Sequence, residues 1–248
     1  MRWPAIIFSR ICALSRTYDV FAVSRLPREM SAFADLRDES ISSVFLLPSI
    51  CADARVASDG ESDMPSLALA AATFLTSVRG LPLDETEIET DGGIFKVERD
   101  VSSGKYGILL PKCKVIFTNK EMIVDKMPIK TSVVRALGNR ICVSECADYE
   151  HFDHSSLARI ALECDAVGAV AYSRVSEGIV ARHRLFDPTV GAVGCAMAAA
   201  RALGLGISIS DVYLTLNGAT FTLRDRRDGI FISCNDPRPM TFVAPDIF

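Results

Sequence analysis

Apolar residues open the chain in short runs separated by polar breaks. Ala5-Ile-Ile-Phe8, Val20-Phe-Ala-Val23 and Ser43-Val-Phe-Leu-Leu47 are rich in β-branched and aromatic residues and predict strands. An acidic, turn-like stretch, Asp59-Gly-Glu-Ser-Asp63, then leads into Pro65-Ser-Leu-Ala-Leu-Ala-Ala-Ala-Thr-Phe-Leu75, a run of helix formers. Pro65 near its start and Gly80 beyond its end punctuate a helix. Strands are predicted next over residues 87–90, 94–98, 106–110 and 115–117.

The second half repeats the plan. Residues 182–186 read as a strand, Asp187-Pro-Thr-Val-Gly191 as a loop, and Gly194-Cys-Ala-Met-Ala-Ala-Ala-Arg-Ala-Leu203 as a small-residue helix closed by Gly204. Residues 212–216 and 220–224 then read as a hairpin. Between the halves, His154 to Cys164 has helical spacing and Ala166 to Tyr172 reads as a buried strand. The hairpin turns Asp91-Gly92 and Asn217-Gly218 lie 126 positions apart, as do Phe95 and Phe221, and Val97 and Leu223. Ala70-Ala-Ala72 precedes Ala198-Ala-Ala200 by 128. The shared order of loop, small-residue helix and hairpin predicts an internal duplication, with lobes at about residues 1–120 and 121–248 and the chain free to cross between them near its ends.

Ala-rich helices carry little bulk, so a sheet can wrap closely around them. Two similar lobes also create a cleft, where ligand sites preferentially form. The loops before both helices have helix N-termini behind them, whose free N–H groups and dipole favour a carboxylate or phosphate. Ser66, Leu67, Gly191 and Ala192 are therefore candidate ligand-binding residues for a small anion. The competing reading is that both helices are simply core.

Composition narrows the classes. The chain has 248 residues, 49% hydrophobic and 23% charged, with a net charge of -4 and no basic stripe, so a phosphate-driven nucleic-acid role is not expected. The eight cysteines are scattered, several of them inside apolar runs, which fits reduced thiols in a cytoplasmic protein. Arg10 interrupts the apolar stretch that begins at Trp3, and no long uncharged run follows, so neither a signal peptide nor a membrane span is expected. No Walker loop, Gly-x-Ser-x-Gly elbow or His-Glu-x-x-His occurs. Cys142-x3-Cys146-x4-His151-x2-His154 offers two thiols and two imidazoles, a donor set suited to tetrahedral zinc, but the spacing matches no familiar finger. No metal and no cofactor is assigned.

These residues carry a family resemblance. Asp59-Gly-Glu-Ser-Asp-Met64, the helix after it, and Ile88-Glu-Thr-Asp-Gly-Gly-Ile-Phe-Lys-Val-Glu98 resemble the first half of diaminopimelate epimerase. Gly138-Asn139 is similar to the start of that family's Gly-Asn-Pro-His motif, which makes Asn139 a candidate ligand residue. Asp187-Pro-Thr-Val-Gly-Ala-Val-Gly-Cys-Ala-Met197 resembles the second active loop, and also the Asp-Pro-Val-Thr-Gly-Ser-Ala loop of phenazine-type isomerases. The ordered set covers roughly residues 40–248. The resemblance implies an α/β (α+β) protein of two pseudo-symmetric lobes, each a barrel-like sheet around a central helix. It also implies cofactor-free proton transfer at an α-carbon of a small amino acid or carboxylate.

The resemblance fails where the family's chemistry sits. Pro65 stands in place of the first catalytic cysteine and Val190 in place of the second, and neither transfers protons. Arg140 and Ile141 replace the family's Pro-His. Phenazine-type isomerases work without the cysteine pair, through an acidic residue and a loop Asp. Asp187 is then the first acid/base candidate and Glu61 the second, with Asp63 and Ser66 read more simply as helix caps. The alternative is a degenerate, non-catalytic paralogue with a binding or structural role. Oligomeric state is open, and a homodimer is one assembly the chain could form.

Overall fold

The computed structural model describes residues 7–14, 16–23, 41–58, 63–77, 84–100, 104, 106–175, 178–185, 191–202, 212–216, 219–234 and 239–240. The chain divides into two units, residues 1–109 with 236–248, and residues 110–235. The first contains strands β1 (Ile7–Ala13), β2 (Arg16–Ala22), β3 (Ser42–Leu47) and β4 (Ala54–Ser58), helix α1 (Met64–Ser77), and strands β5 (Glu85–Thr90), β6 (Gly93–Arg99) and β7 (Tyr106–Leu110). The second contains β8 (Lys114–Val124), β9 (Met127–Ala136), β10 (Asn139–Glu145), α2 (His154–Glu163), β11 (Gly168–Val175), β12 (Gly178–Leu185), α3 (Gly191–Ala202), β13 (Val212–Leu216), β14 (Ala219–Asp225) and β15 (Ile230–Cys234). A last short strand, β16 (Pro239–Met240), returns to the first unit and pairs antiparallel with β1.

The two units share one internal plan. In the first, β1 pairs antiparallel with β2, β2 parallel with β3, β3 antiparallel with β4, β4 parallel with β5, and β5 to β7 continue antiparallel. In the second, β9 to β15 repeat that series of senses strand for strand. β8 on β9 then mirrors β16 on β1. The hairpins agree to the residue: Thr86 faces Val97 and Ile88 faces Phe95, while Val212 faces Leu223 and Leu214 faces Phe221, each position displaced by 126. The duplication read from the sequence is thus a duplication of register. The Asn217-Gly218 turn itself lies outside the described residues.

Each unit is built around one helix. Residues 67–75 of α1 are buried on every side, as a helix with no polar face must be. α1 touches β1 to β6 and β16, and α3 touches β8 to β14, so in each unit the sheet curls around its helix. Both helices connect parallel strand pairs, which need a crossover. The small residues of Ala68-Leu-Ala-Ala-Ala72 and Cys195-Ala-Met-Ala-Ala199 keep the helix thin enough to be enclosed. Thr73 is buried in α1, and its hydroxyl donates to the Leu69 carbonyl at 2.7 Å, so no polar group is stranded there.

The second unit adds α2 on the other face of its sheet. Leu157, Ile160 and Ala161 pack with Cys142, Ala169, Ala171, Val133 and Phe152. Strand β10 is therefore covered on both faces, and Ile141, Cys142 and Val143 are all buried. Asp153 caps α2 by accepting from the Ser156 N–H at 2.8 Å. Its carboxyl is held down at about 2, first by that backbone bond and then by the hydroxyls of Ser155 and Ser156. Arg10, which reads as a break in the sequence, lies inside β1 and forms a 2.7 Å ion pair with the buried Asp19 opposite it.

Gly168 fixes how β11 meets β12. A Cβ there would lie 2.7 Å from the Arg184 carbonyl oxygen and 2.6 Å from Leu185 Cδ2. Backbone cannot yield as a flexible side chain can, so Gly168→Ala is expected to destabilise the protein by roughly 1–3 kcal/mol, the usual cost of overpacking. Chemical denaturation reads this directly; an unchanged midpoint would mean the strands can part at no cost.

Candidate active site

The N-terminus of α1 is where the sequence resemblance places the first half of a site. Asp63 is buried and its Oδ1 accepts from the Ser66 N–H at 2.8 Å, while its carbonyl accepts from the Leu67 N–H at 3.1 Å. Ser66 and Leu67, candidate ligand residues, thus have their backbone N–H groups committed to Asp63. Pro65 has no N–H to offer. The Ser66 hydroxyl is buried and has no hydrogen-bond partner. This helix end holds its own carboxylate, the charge its dipole favours.

The second half differs. β12 ends at Leu185, and α3 begins at Gly191, three residues before the start predicted from sequence. Gly191 and Ala192 therefore form the first turn of the helix and not the loop before it. Gly191 has φ 61, a left-handed conformation that explains a glycine where the chain swings into α3. Asp187 and Glu61, with residues 59–62 and 186–190 around them, lie outside the described residues. Asn139 opens β10 after a turn in which Leu137 and Gly138 both have positive φ, 50 and 84. Ile141 pairs with Gly168 and Gly168 with Leu185. Asn139 therefore shares an end of the sheet with the β12 terminus that leads to α3. No sequence signal marked Gly168, yet its close approach sets where that terminus lies.

The buried thiols among the described residues are poorly suited to proton transfer. Cys195 is fully buried, a turn into α3, and burial drives its thiol far above its ordinary range. Cys113 is pushed up to about 12 by burial, only partly offset by the positive charge of Arg201. Cys142 is raised by burial and by its neighbour Cys164. The Cys142 and Cys146 thiols face the carbonyls of Ile160 and Tyr172, and His151 pairs with Asp148 at 2.8 Å. Among the described residues no group of three or more His, Cys, Asp or Glu is arranged to hold a metal ion. Arg140, which replaces a family proline, clamps the end of α2 through the Cys164 carbonyl and Asp165, and Ile141 beside it is buried.

With this geometry, the chain has the fold of the diaminopimelate epimerase-like isomerases. A putative phenazine biosynthesis PhzC/PhzF protein from Clostridium difficile (strain 630) matches with a TM-score of 0.69 at 13% identity, covering 98% of this chain and 100% of that one. A hydroxyproline epimerase from Agrobacterium vitis, solved with trans-4-hydroxy-L-proline bound, matches at 0.61 and 12% identity over 98% and 92%. A methylitaconate-delta-isomerase matches at 0.57 and 11% over 95% and 94%. No family model and no curated protein sequence matches the chain. Among the described residues no helix is long and apolar enough to cross a membrane.

Asp63→Ala is expected to cost roughly 1–2 kcal/mol through loss of the cap, read as a lower melting temperature; an unchanged melting temperature would show that α1 needs no cap. With a thiol reagent, the exposed Cys51 should label in the native protein, whereas the buried Cys113, Cys142, Cys164 and Cys195 should label only on unfolding. Fast native labelling of Cys195, located by peptide mapping, would contradict its burial.

Proposed function

We propose that the protein binds a small carboxylic or amino acid beside the N-terminus of α3 and shifts a proton on its α-carbon with carboxylate groups, without a cofactor and without thiols. Asp187 is the principal acid/base group and Glu61 the second; Gly191, Ala192 and Asn139 form the surroundings of the ligand. The observation that carries this reading is the α1 N-terminus, where Asp63 and Pro65 occupy the place of a thiol acid while the isomerase fold is kept through nearly the whole chain. A thiol mechanism needs a base on each face of a planar carbanion. Pro65 removes one, and the high thiol pKa of buried Cys195 disqualifies the nearest substitute. A small ligand is supported by a structural neighbour that was solved with a hydroxyproline bound. The reduced, buried thiols support a cytoplasmic setting.

The Asp63 cap also favours a second reading, a non-catalytic binding protein, because a helix end that supplies its own anion is stable without substrate. One experiment separates the two. The protein is incubated in deuterated water with amino acids of both hands and with hydroxy and aromatic carboxylic acids. Ligand binding is followed by thermal shift, and Cα deuteration by NMR. The catalytic reading expects exchange on at least one compound, falling on the order of 100-fold or more in Asp187→Asn at an unchanged melting temperature. Exchange that survives Asp187→Asn overturns Asp187 as the acid/base group. Stabilisation by a ligand, about 2.7 kcal/mol at 100 times its Kd, without any exchange establishes the binding protein instead.

A further inference from the structure

A cavity of about 410 Å³ lies in the second unit, lined by side chains of β9, β10, β11 and the β8 bulge. It is at the opposite end of the sheet from the candidate active site. Glu145 pairs with Tyr172, at the far end of the β10–β11 ladder from Ile141 and Gly168. A ligand in this cavity would therefore be independent of the proposed proton-transfer site.

The cavity has a buried anchor and a set of donors. Tyr172 is only 4% exposed, and its hydroxyl donates to Glu145 Oε2 at 3.1 Å. Arg174 Nε donates to Glu145 Oε1 at 2.8 Å. Both carboxylate oxygens of Glu145 are thus engaged, and the Arg174 bond is the main reason its pKa lies below the usual range. Glu145 is better placed to orient Arg174 than to receive a cation. Arg174 is held through Nε and also interacts with the Tyr172 hydroxyl, and its half-exposed fork reaches the mouth of the cavity. Lys130 lies between Glu145 on β10 and Glu121 on β8 in the ladder, and no ion pair of Lys130 occurs among the described residues. Asn119 and Ser132 line the same space and direct no side-chain hydrogen bond to the protein. Two cations against one carboxylate leave the lining net positive. A guanidinium fork with a nearby ammonium fits the planar or tetrahedral oxygens of a carboxylate or phosphate.

We propose that this cavity is a binding site for a small anion bearing a carboxylate or phosphate group, held by Arg174 and Lys130, with Asn119 and Ser132 as neutral hydrogen-bonding partners. Glu145 is a positioning residue, fixing the Arg174 fork with the help of Tyr172.

Calorimetric titration of the full chain tests it, with inorganic phosphate and succinate as probes at low ionic strength. Saturable binding at one site per chain is expected for at least one probe. Lys130→Ala and Arg174→Gln should each weaken it tenfold or more, and Ser132→Ala, too mild to disturb folding, about threefold. Arg135→Ala, which removes an equal charge on β9 outside the cavity, and Asp187→Asn in the candidate active site should leave it unchanged. Phosphate bound in preference to succinate identifies a phosphate-bearing ligand, and the reverse a carboxylate. Absence of saturable binding for both probes overturns the proposal. So does binding that Lys130→Ala, Arg174→Gln and Ser132→Ala all leave intact, or that Arg135→Ala weakens equally, which would mean diffuse surface charge. Loss on Asp187→Asn alone would assign the binding to the other site and likewise overturn it.

Discussion

Enclosing a helix inside a single curled sheet is the constraint from which the rest of each unit follows. A sheet can close around α1 only if the helix offers almost no bulk, which is why Ala68 to Ala72 alternates alanine with a single leucine before Phe74 and Leu75 fill what remains. Every face of such a helix meets the sheet, so its only accessible backbone is at its ends. The enclosed helix therefore presents a cluster of N–H groups at one end of the sheet and conceals the rest.

The duplication preserved the backbone and released the side chains. The hairpins β5–β6 and β13–β14 keep the same register, yet Phe95 is half-exposed and Phe221 fully buried at the matching position. Arg10 and Asp19 form an ion pair at a cross-strand position of β1 and β2; the corresponding pair in β9 and β10 is Val133 and Cys142, part of the apolar cluster beneath α2. A buried charge pair and an apolar pair can each satisfy one site, the first through its own hydrogen bonds and the second through packing, and replacing one by the other is often close to neutral. Register tolerates no such exchange, because a one-residue slip turns every side chain to the wrong face. Sequence identity between the halves could decay while the ladder could not.

This explains what could be read in advance. Strong local signals survived: the α1 and α3 helices, the β5–β6 turn at Asp91-Gly92, and the helical spacing of α2. Elements specified by distant partners did not. β4 is five residues containing an arginine and is held by β3 and β5 on either side, and β16 is two residues whose partners, Arg10 and Ile11, lie more than two hundred positions away. β9 carried a signal, the alternation of Ile129, Thr131 and Val133 on one face, but Pro128 at its start obscured it. At the start of α1 the residue types pointed to a cap, and Asp63 is one; Ser66, also read as a cap, instead donates its backbone N–H to Asp63 while its hydroxyl is buried without a partner.

The divergence of the two helix ends is where fold and chemistry meet. α1 begins with a buried aspartate that accepts from its own third turn-forming N–H, followed by a proline with none to give, so the helix dipole is already answered from within the chain. α3 begins on a left-handed glycine, and neither helix has an acidic residue in its first turn. The start of α1 is thereby stabilised by a group of its own chain, independently of any ligand, and the bond from the Ser66 N–H that does so also fixes where the helix begins.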